Sequence, residues 1–174
     1  MAHASHSWPQ RCRRAFKHWI SSTAVGRKAF PSATLKAIAD AIGQGERLHR
    51  AEVRLVVETG LPVVSVWHGM SDRERARDLF AQYGVWDTED NCGVLIYINL
   101  ADRQVEIVAD RNVGRRIAPE QWQAVCRAMT QGYAAGNYHD STIGAIGALN
   151  TLLEQHFPAE GDRPNQLPND AIIL

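Results

Sequence analysis

The stretch GVLIYINLADRQVEIVAD, residues 93–110, sets the fold. Val94 to Ile98 is apolar at every position, as a strand covered on both faces of a sheet must be. A short link through Ala101 and Asp102 leads into Gln104 to Ala109, where Val105 and Ile107 alternate with Gln104 and Glu106. That alternation has the period of a half-wet strand, and so near a neighbour folds back antiparallel as a hairpin. A strand buried on both sides then calls for helices above and below it.

The flanking sequence supplies them. Ser71, Asp72, Arg73 and Glu74 form a capping box, which predicts a helix with Ala76, Leu79, Phe80 and Tyr83 on its buried face and Gly84 as its stop. Before it, Val53, Leu55 and Val57 alternate with Arg54 and Glu58 as a second strand. Gly60 and Pro62 then break the chain, and the β-branched run Val63 to Trp67 is expected as a short edge strand or an extended loop. Ser32 is expected to cap a helix carrying Leu35, Ile38, Ala39 and Ile42, with Gly43 at its end. Downstream, Pro119 opens a helix with Trp122, Val125, Cys126, Met129 and Tyr133 on one stripe. Another helix follows Asp140, with the stripe Ile143, Ile146, Leu149, Asn150 and Leu153. The order of elements predicts an α/β chain, a three-layer α/β/α sandwich with a mixed, partly antiparallel sheet over residues 32–157. Any ligand crevice belongs outside the carboxyl ends of its parallel strands. Residues 158–174, with Pro158, Gly161, Pro164 and Pro168, are expected to be a disordered tail.

With 174 residues, 45% of them hydrophobic and 22% charged, the chain has the size of one domain with short appendages. No run of ~18 apolar residues is present, so no helical membrane span is expected. Cys12, Cys92 and Cys126 are widely spaced and odd in number, which fits neither a disulfide framework nor a zinc site. The formal charge of zero conceals a split: residues 1–50 carry nine Lys/Arg against Asp40 and Glu46, and the acids are concentrated after them. The segment 1–31 is a basic amphipathic one in which Trp8, Cys12, Phe16, Trp19 and Ile20 recur at helical spacing among Arg13, Arg14 and Lys17. Two readings stand: the stripe docks on the domain, or Trp8, Phe16 and Trp19 enter a headgroup layer while Arg13, Arg14 and Lys17 meet anionic lipid or a protein partner. Nucleic acid is not expected, because the rest of the chain is acidic. His3 and His6 belong to a loose terminus. Without the apolar core of a secretory signal, the expected location is cytoplasmic, peripheral to a membrane.

Just before the central strand, Asp87, Glu89, Asp90 and Asn91 present the oxygens that Ca²⁺ or Mg²⁺ prefers. Cys92 and Ile98 stand where the turn glycine and bidentate glutamate of an EF-hand would be, so the alternative is a solvated turn closed by its own side chains. Asp110 is the best donor from a second segment. Arg111 and Arg115 beyond it are candidates for clamping a phosphate or carboxylate, or for a solvated loop. His49 with Glu52 is read as an acid/base pair or as a structural pair. The sequence contains neither HExxH nor GxSxG, and no catalytic nucleophile is identified.

The segments HRAEVRLVVE and ARDLFAQYGVWDTEDNCGVLIYINLADRQVEIVAD, followed by the Trp122 helix, resemble a TPM domain over residues 35 to 157. That family includes thylakoid acid-phosphatase-like proteins, photosystem II repair factors and many bacterial proteins, and the likeness is greatest to its short bacterial members. The resemblance implies an α/β/α sandwich, divalent cations at Asp87, Glu89, Asp90, Asn91 and Asp110, and two functions. One is a cation-binding module acting through a protein or membrane partner with little or no catalysis. The other is a metal-assisted acid phosphatase. Cys92 replaces a common Asn, and Ala109-Asp110-Arg111 replaces a glycine-bearing turn, which counts against the phosphatase.

Overall fold

The computed structural model describes residues 8–21, 23–161 and 164–174; His3 and His6 lie outside them. In chain order the elements are α1 (Trp8–Ile20), α2 (Thr23–Ala29), α3 (Ser32–Glu46), β1 (Glu52–Glu58), α4 (Val63–Trp67), α5 (Asp72–Gln82), β2 (Gly93–Asn99), β3 (Gln104–Ala109), α6 (Arg111–Arg116), α7 (Pro119–Ala134), α8 (Tyr138–His156) and β4 (Ile172–Ile173).

The sheet has the order β3-β2-β1-β4. β1 and β2 run parallel, Glu52 opposite Gly93 and Glu58 opposite Asn99, while β3 returns antiparallel to β2 as its alternation requires. Period-two exposure sorts the side chains onto two faces. Val53, Leu55, Val57, Val94, Ile96 and Ile98 join a core with Ile38 and Ile42 of α3, Val125 and Met129 of α7, and Ile146 and Leu149 of α8. On the other face, Val56, Leu95, Tyr97 and Val108 pack with Ala76 and Leu79 of α5 and with Val85. Full burial of a side chain such as Leu79 contributes about 2 kcal/mol, so both helical layers are held chiefly by apolar contact. The architecture is the mixed α/β sandwich.

Several local expectations are corrected. Val63–Trp67 is a helical turn, capped by Pro62, whose carbonyl accepts from Val66 N–H. Its β-branched residues have no neighbouring strand to pair with, because the chain is already leaving the sheet to cross from β1 to the parallel β2. α6 occupies the segment offered as a solvated loop, and α2 is a further short helix between α1 and α3. α3 begins behind Pro31 instead of Ser32 and runs through Gly43 to Glu46, and Asn137, accepting from Asp140 N–H, caps α8.

The described end of the tail, residues 164–174, lies against the sheet instead of standing free. Ile172 and Ile173 pair in parallel with Val56 and Val57, and Leu174 N–H reaches Val57 O. Gln166 and Leu167 donate backbone N–H groups to Glu52, and Arg54 donates to Pro168 O. The apolar end Ile172-Ile173-Leu174 thereby covers the free edge that β1 would otherwise expose.

Candidate functional site

The carboxyl ends of β1 and β2 carry a polar cluster drawn from five segments. Glu58 ends β1, buried, and Arg75 of α5 clasps it with Nε and Nη2 at 2.8–3.2 Å. Tyr97 Oη donates to the same carboxylate at 2.7 Å. Burial and the neighbouring Glu58 charge push the Tyr97 phenol well up, so it keeps its proton and donates it to Glu58. Asn99 ends β2; its Nδ2 donates to Asp72 Oδ1 at 2.6 Å, and its Oδ1 accepts from Asp102 N–H. Burial raises the Asp72 pKa, with the Asn99 bond opposing.

α1 closes this end of the sheet. Arg14 Nε donates to Asp102 Oδ2 at 2.7 Å and Arg14 Nη1 to Met70 O at 2.8 Å; Asp72 lies 3.8 Å from Nη2. His18, buried, accepts at Nδ1 from Leu61 N–H at 2.8 Å, which leaves the proton on Nε2 to be donated to Asp102 at 3.0 Å. Burial opposes ionisation of Asp102, but the hydrogen bonds from His18 and Arg14 prevail and hold it at about 2. Both ring nitrogens of His18 are committed, so it has no lone pair left for proton transfer. The cluster is a clamp on α1.

The clamp decides which face of α1 looks outward. Ala15 and His18 are buried, and Ala15 packs with Leu61 and Val66 of the α4 region. Trp8, Phe16 and Trp19 are 70%, 60% and 71% exposed. Docking by the aromatic stripe is thus corrected: the helix docks by its polar inner face. Arg13 and Lys17 remain exposed beside the aromatics, whereas Arg14, expected on that outer surface, is turned inward to Asp102. The Ile20 side chain lies outside the described set.

At the opposite end of β2, the acidic lip is a closed turn. Asp87 N–H bonds Gly84 O, Asn91 N–H bonds Thr88 O, and Cys92 N–H bonds Thr88 Oγ1. Asn91 has φ of 51°, a left-handed conformation that Asn tolerates better than most side chains. Asp87, Glu89 and Asn91 are exposed. The second rim does come near: Asn112 Nδ2 donates to Asp90 O at 3.0 Å, and Asp110 Oδ1 caps α6 through Arg111 N–H. Among the described residues no three His, Cys, Asp or Glu side chains gather to hold a metal ion. Asp110 Oδ2 is buried without a hydrogen-bond partner. Arg111 and Arg115 are exposed on α6.

His49 and Glu52 do not meet as an acid/base pair. His49 is buried between Ala51 O and Asn150 Oδ1, while Glu52 holds the tail. Burial lowers the His49 pKa. Sequence reasoning passed over Glu58, Asn99 and Asp102 as site residues. Their signal was positional, since all three fall at or just beyond the carboxyl ends of the paired parallel strands.

Comparison with known proteins agrees with this architecture. The NMR structure of the BA42 protein from the psychrophilic bacterium Bizionia argentinensis superposes with a TM-score of 0.73 at 24% identity, covering 83% of this chain and 94% of that one, a likeness of fold. No curated protein matches the chain. The model of the TPM domain matches residues 26–152, which run from within α2 into α8. By that match, over most of its length, the chain belongs to the TPM domain family.

Proposed function

We propose that this TPM domain is an association module, with little or no catalysis, that docks peripherally on an anionic membrane surface through α1. One observation carries the reading: α1 is clamped to the domain by its polar inner face, leaving Trp8, Phe16 and Trp19 exposed beside Arg13 and Lys17. Clustered exposed aromatics cost solubility unless something covers them, and a headgroup layer accepts both aromatic rings and cations. No helix among the described residues is long and apolar enough to cross a membrane, so attachment of this kind is interfacial. The polar groups beneath α1 support a non-catalytic reading, because His18, Arg14, Asn99 and Asp102 satisfy one another.

The test is sedimentation of the full chain with vesicles containing phosphatidylglycerol or only phosphatidylcholine. Binding to the anionic vesicles alone, falling as salt rises, supports the proposal; no pelleting with either overturns it.

A second reading, a divalent cation at the lip, is favoured by the orphaned Asp110 Oδ2. Calorimetric titration with Ca²⁺ and Mg²⁺ tests it: heat that is lost in Asp110→Asn supports it, and no heat with either ion removes it. Phosphomonoester turnover that appears only with restored metal would replace the module by a phosphatase.

A further inference from the structure

We infer that α1 and α4 together form a single lipid-facing surface, which holds the domain with the carboxyl-end edge of its sheet towards an anionic bilayer and the acidic lip away from it. The inference rests on the docking proposal and adds to it a second helix and an orientation.

Three observations carry it. First, α1 and α4 are fixed against each other: Ala15, Leu61 and Val66 share an apolar cluster, and His18 receives the N–H of Leu61. Packed against α1 in this way, α4 exposes Val63, Val64 and Trp67, while only its Val66 turns inward. A helical turn whose large apolar residues mostly face out contributes little to the core, and its exposure is explained by something that covers it.

Second, the exposed charge of α1 and α2 has one sign. Arg13, Lys17, Arg27 and Lys28 are exposed, and the chain contains no acid before Asp40. The two carboxylates that lie under α1 are turned to it from below, Asp102 bonded by Arg14 and His18 and Asp72 near Arg14. The side left for a partner is cationic and aromatic, which is the complement of an anionic headgroup layer.

Third, the acidic lip lies far from it. The clamp is attached beyond the carboxyl end of β2, whereas Asp87, Glu89 and Asp90 precede its amino end. Seven residues of strand separate the two ends. At a rise of ~3.3 Å per residue that is roughly 20 Å, more than two Debye lengths at physiological salt. The lip therefore adds little repulsion when the other end meets lipid, and would oppose the inverted pose. The formal neutrality of the chain conceals this polarity.

Full-length protein carrying 5-fluorotryptophan, its five indole signals assigned by single Trp→Phe exchanges, can be mixed with phosphatidylglycerol-containing vesicles that bear a spin-labelled lipid. The expected result is loss of fluorine intensity at Trp19 of α1 and Trp67 of α4, with Trp86, exposed next to the acidic lip, retained. Loss at Trp8 and Trp19 with Trp67 retained overturns the two-helix surface, since α1 would then bind lipid by itself, and leaves the docking proposal standing. Loss at Trp86 as well overturns the orientation. Retention of all five signals overturns both, and is the outcome expected if an acidic protein surface, not lipid, covers these helices.

Discussion

His18 and Asp102, 84 residues apart in sequence, meet through Nε2 and Oδ2 at 3.0 Å, and this contact ties the N-terminal helix to the turn between β2 and β3. Because Arg14 shares the same oxygen, Asp102 is the single side chain on which the clamp converges. Replacing it leaves the buried His18 Nε2–H and the Arg14 Nε–H without their acceptor. Asp102→Ala is expected to lower stability to urea by about 2–3 kcal/mol and to open Arg13, Arg14 and Lys17 to trypsin. Unchanged stability and cleavage would mean that apolar contact alone holds α1.

The same carboxylate gives the chain a defined acid limit. Its pKa in the folded protein, about 2, lies below the ordinary 3.8. Stability from this group is therefore complete above pH ~4 and is lost as pH falls through about 2, with a magnitude on the order of 2 kcal/mol. Urea unfolding of the wild type between pH 5 and 2 should show that loss, and Asp102→Asn should flatten it. Parallel profiles for the two proteins would contradict the assignment.

Glu46 works in the opposite sense. Burial raises it from 4.5 to about 7, Glu52 adds to the effect, and the Val53 N–H and Asn169 oppose it. A raised carboxyl stabilises fully below its unfolded pKa and loses that contribution as pH rises through about 7. Glu46→Gln keeps the acceptor for Val53 N–H and removes the charge. It should be more stable than the wild type at pH 8, by on the order of 2 kcal/mol, and equal to it near pH 4.

Gly93 starts β2 where a Cβ would lie 1.7 Å from Val85 O. Backbone crowds it from the turn after α5, so any side chain must separate that turn from the strand. Gly93→Ala is expected to cost about 3 kcal/mol or more, read as a lowered thermal midpoint. A variant of wild-type stability would show that the turn can move aside freely.

The core was legible because burial writes a period into sequence. Val94–Ile98 covered on both faces, Val105 and Ile107 alternating, and the Ser71 to Glu74 capping box all reappear in the folded chain. Val63–Trp67 misled because β-branching reports what a strand would tolerate, not whether a partner strand lies alongside. The tail misled through its composition: two isoleucines and a leucine suffice to pair with β1 once Glu52 has anchored the backbone before them.

The site was harder to read, for a geometric reason. Arg14, His18, Leu61, Met70, Asp72, Asn99 and Asp102 meet only after the sheet has formed, and nothing local in any one segment marks it. The aromatic period of α1 was correctly seen. Which side of the helix would face inward depended on a distant carboxylate, so the stripe that seemed suited to docking is the one left in solvent.

The central claim is tested most directly by the partition of the full chain onto phosphatidylglycerol-containing vesicles, comparing the wild type with Trp8→Ala, Phe16→Ala and Trp19→Ala combined, at low and high salt. These rings contribute little to the described core, so the variant should fold as the wild type does. Wild-type protein is predicted to pellet with the vesicles at low salt and to be released at high salt. The variant is predicted to partition at least about tenfold less, as expected for removing this much apolar contact from an interface. Equal pelleting of the two proteins would contradict docking through α1.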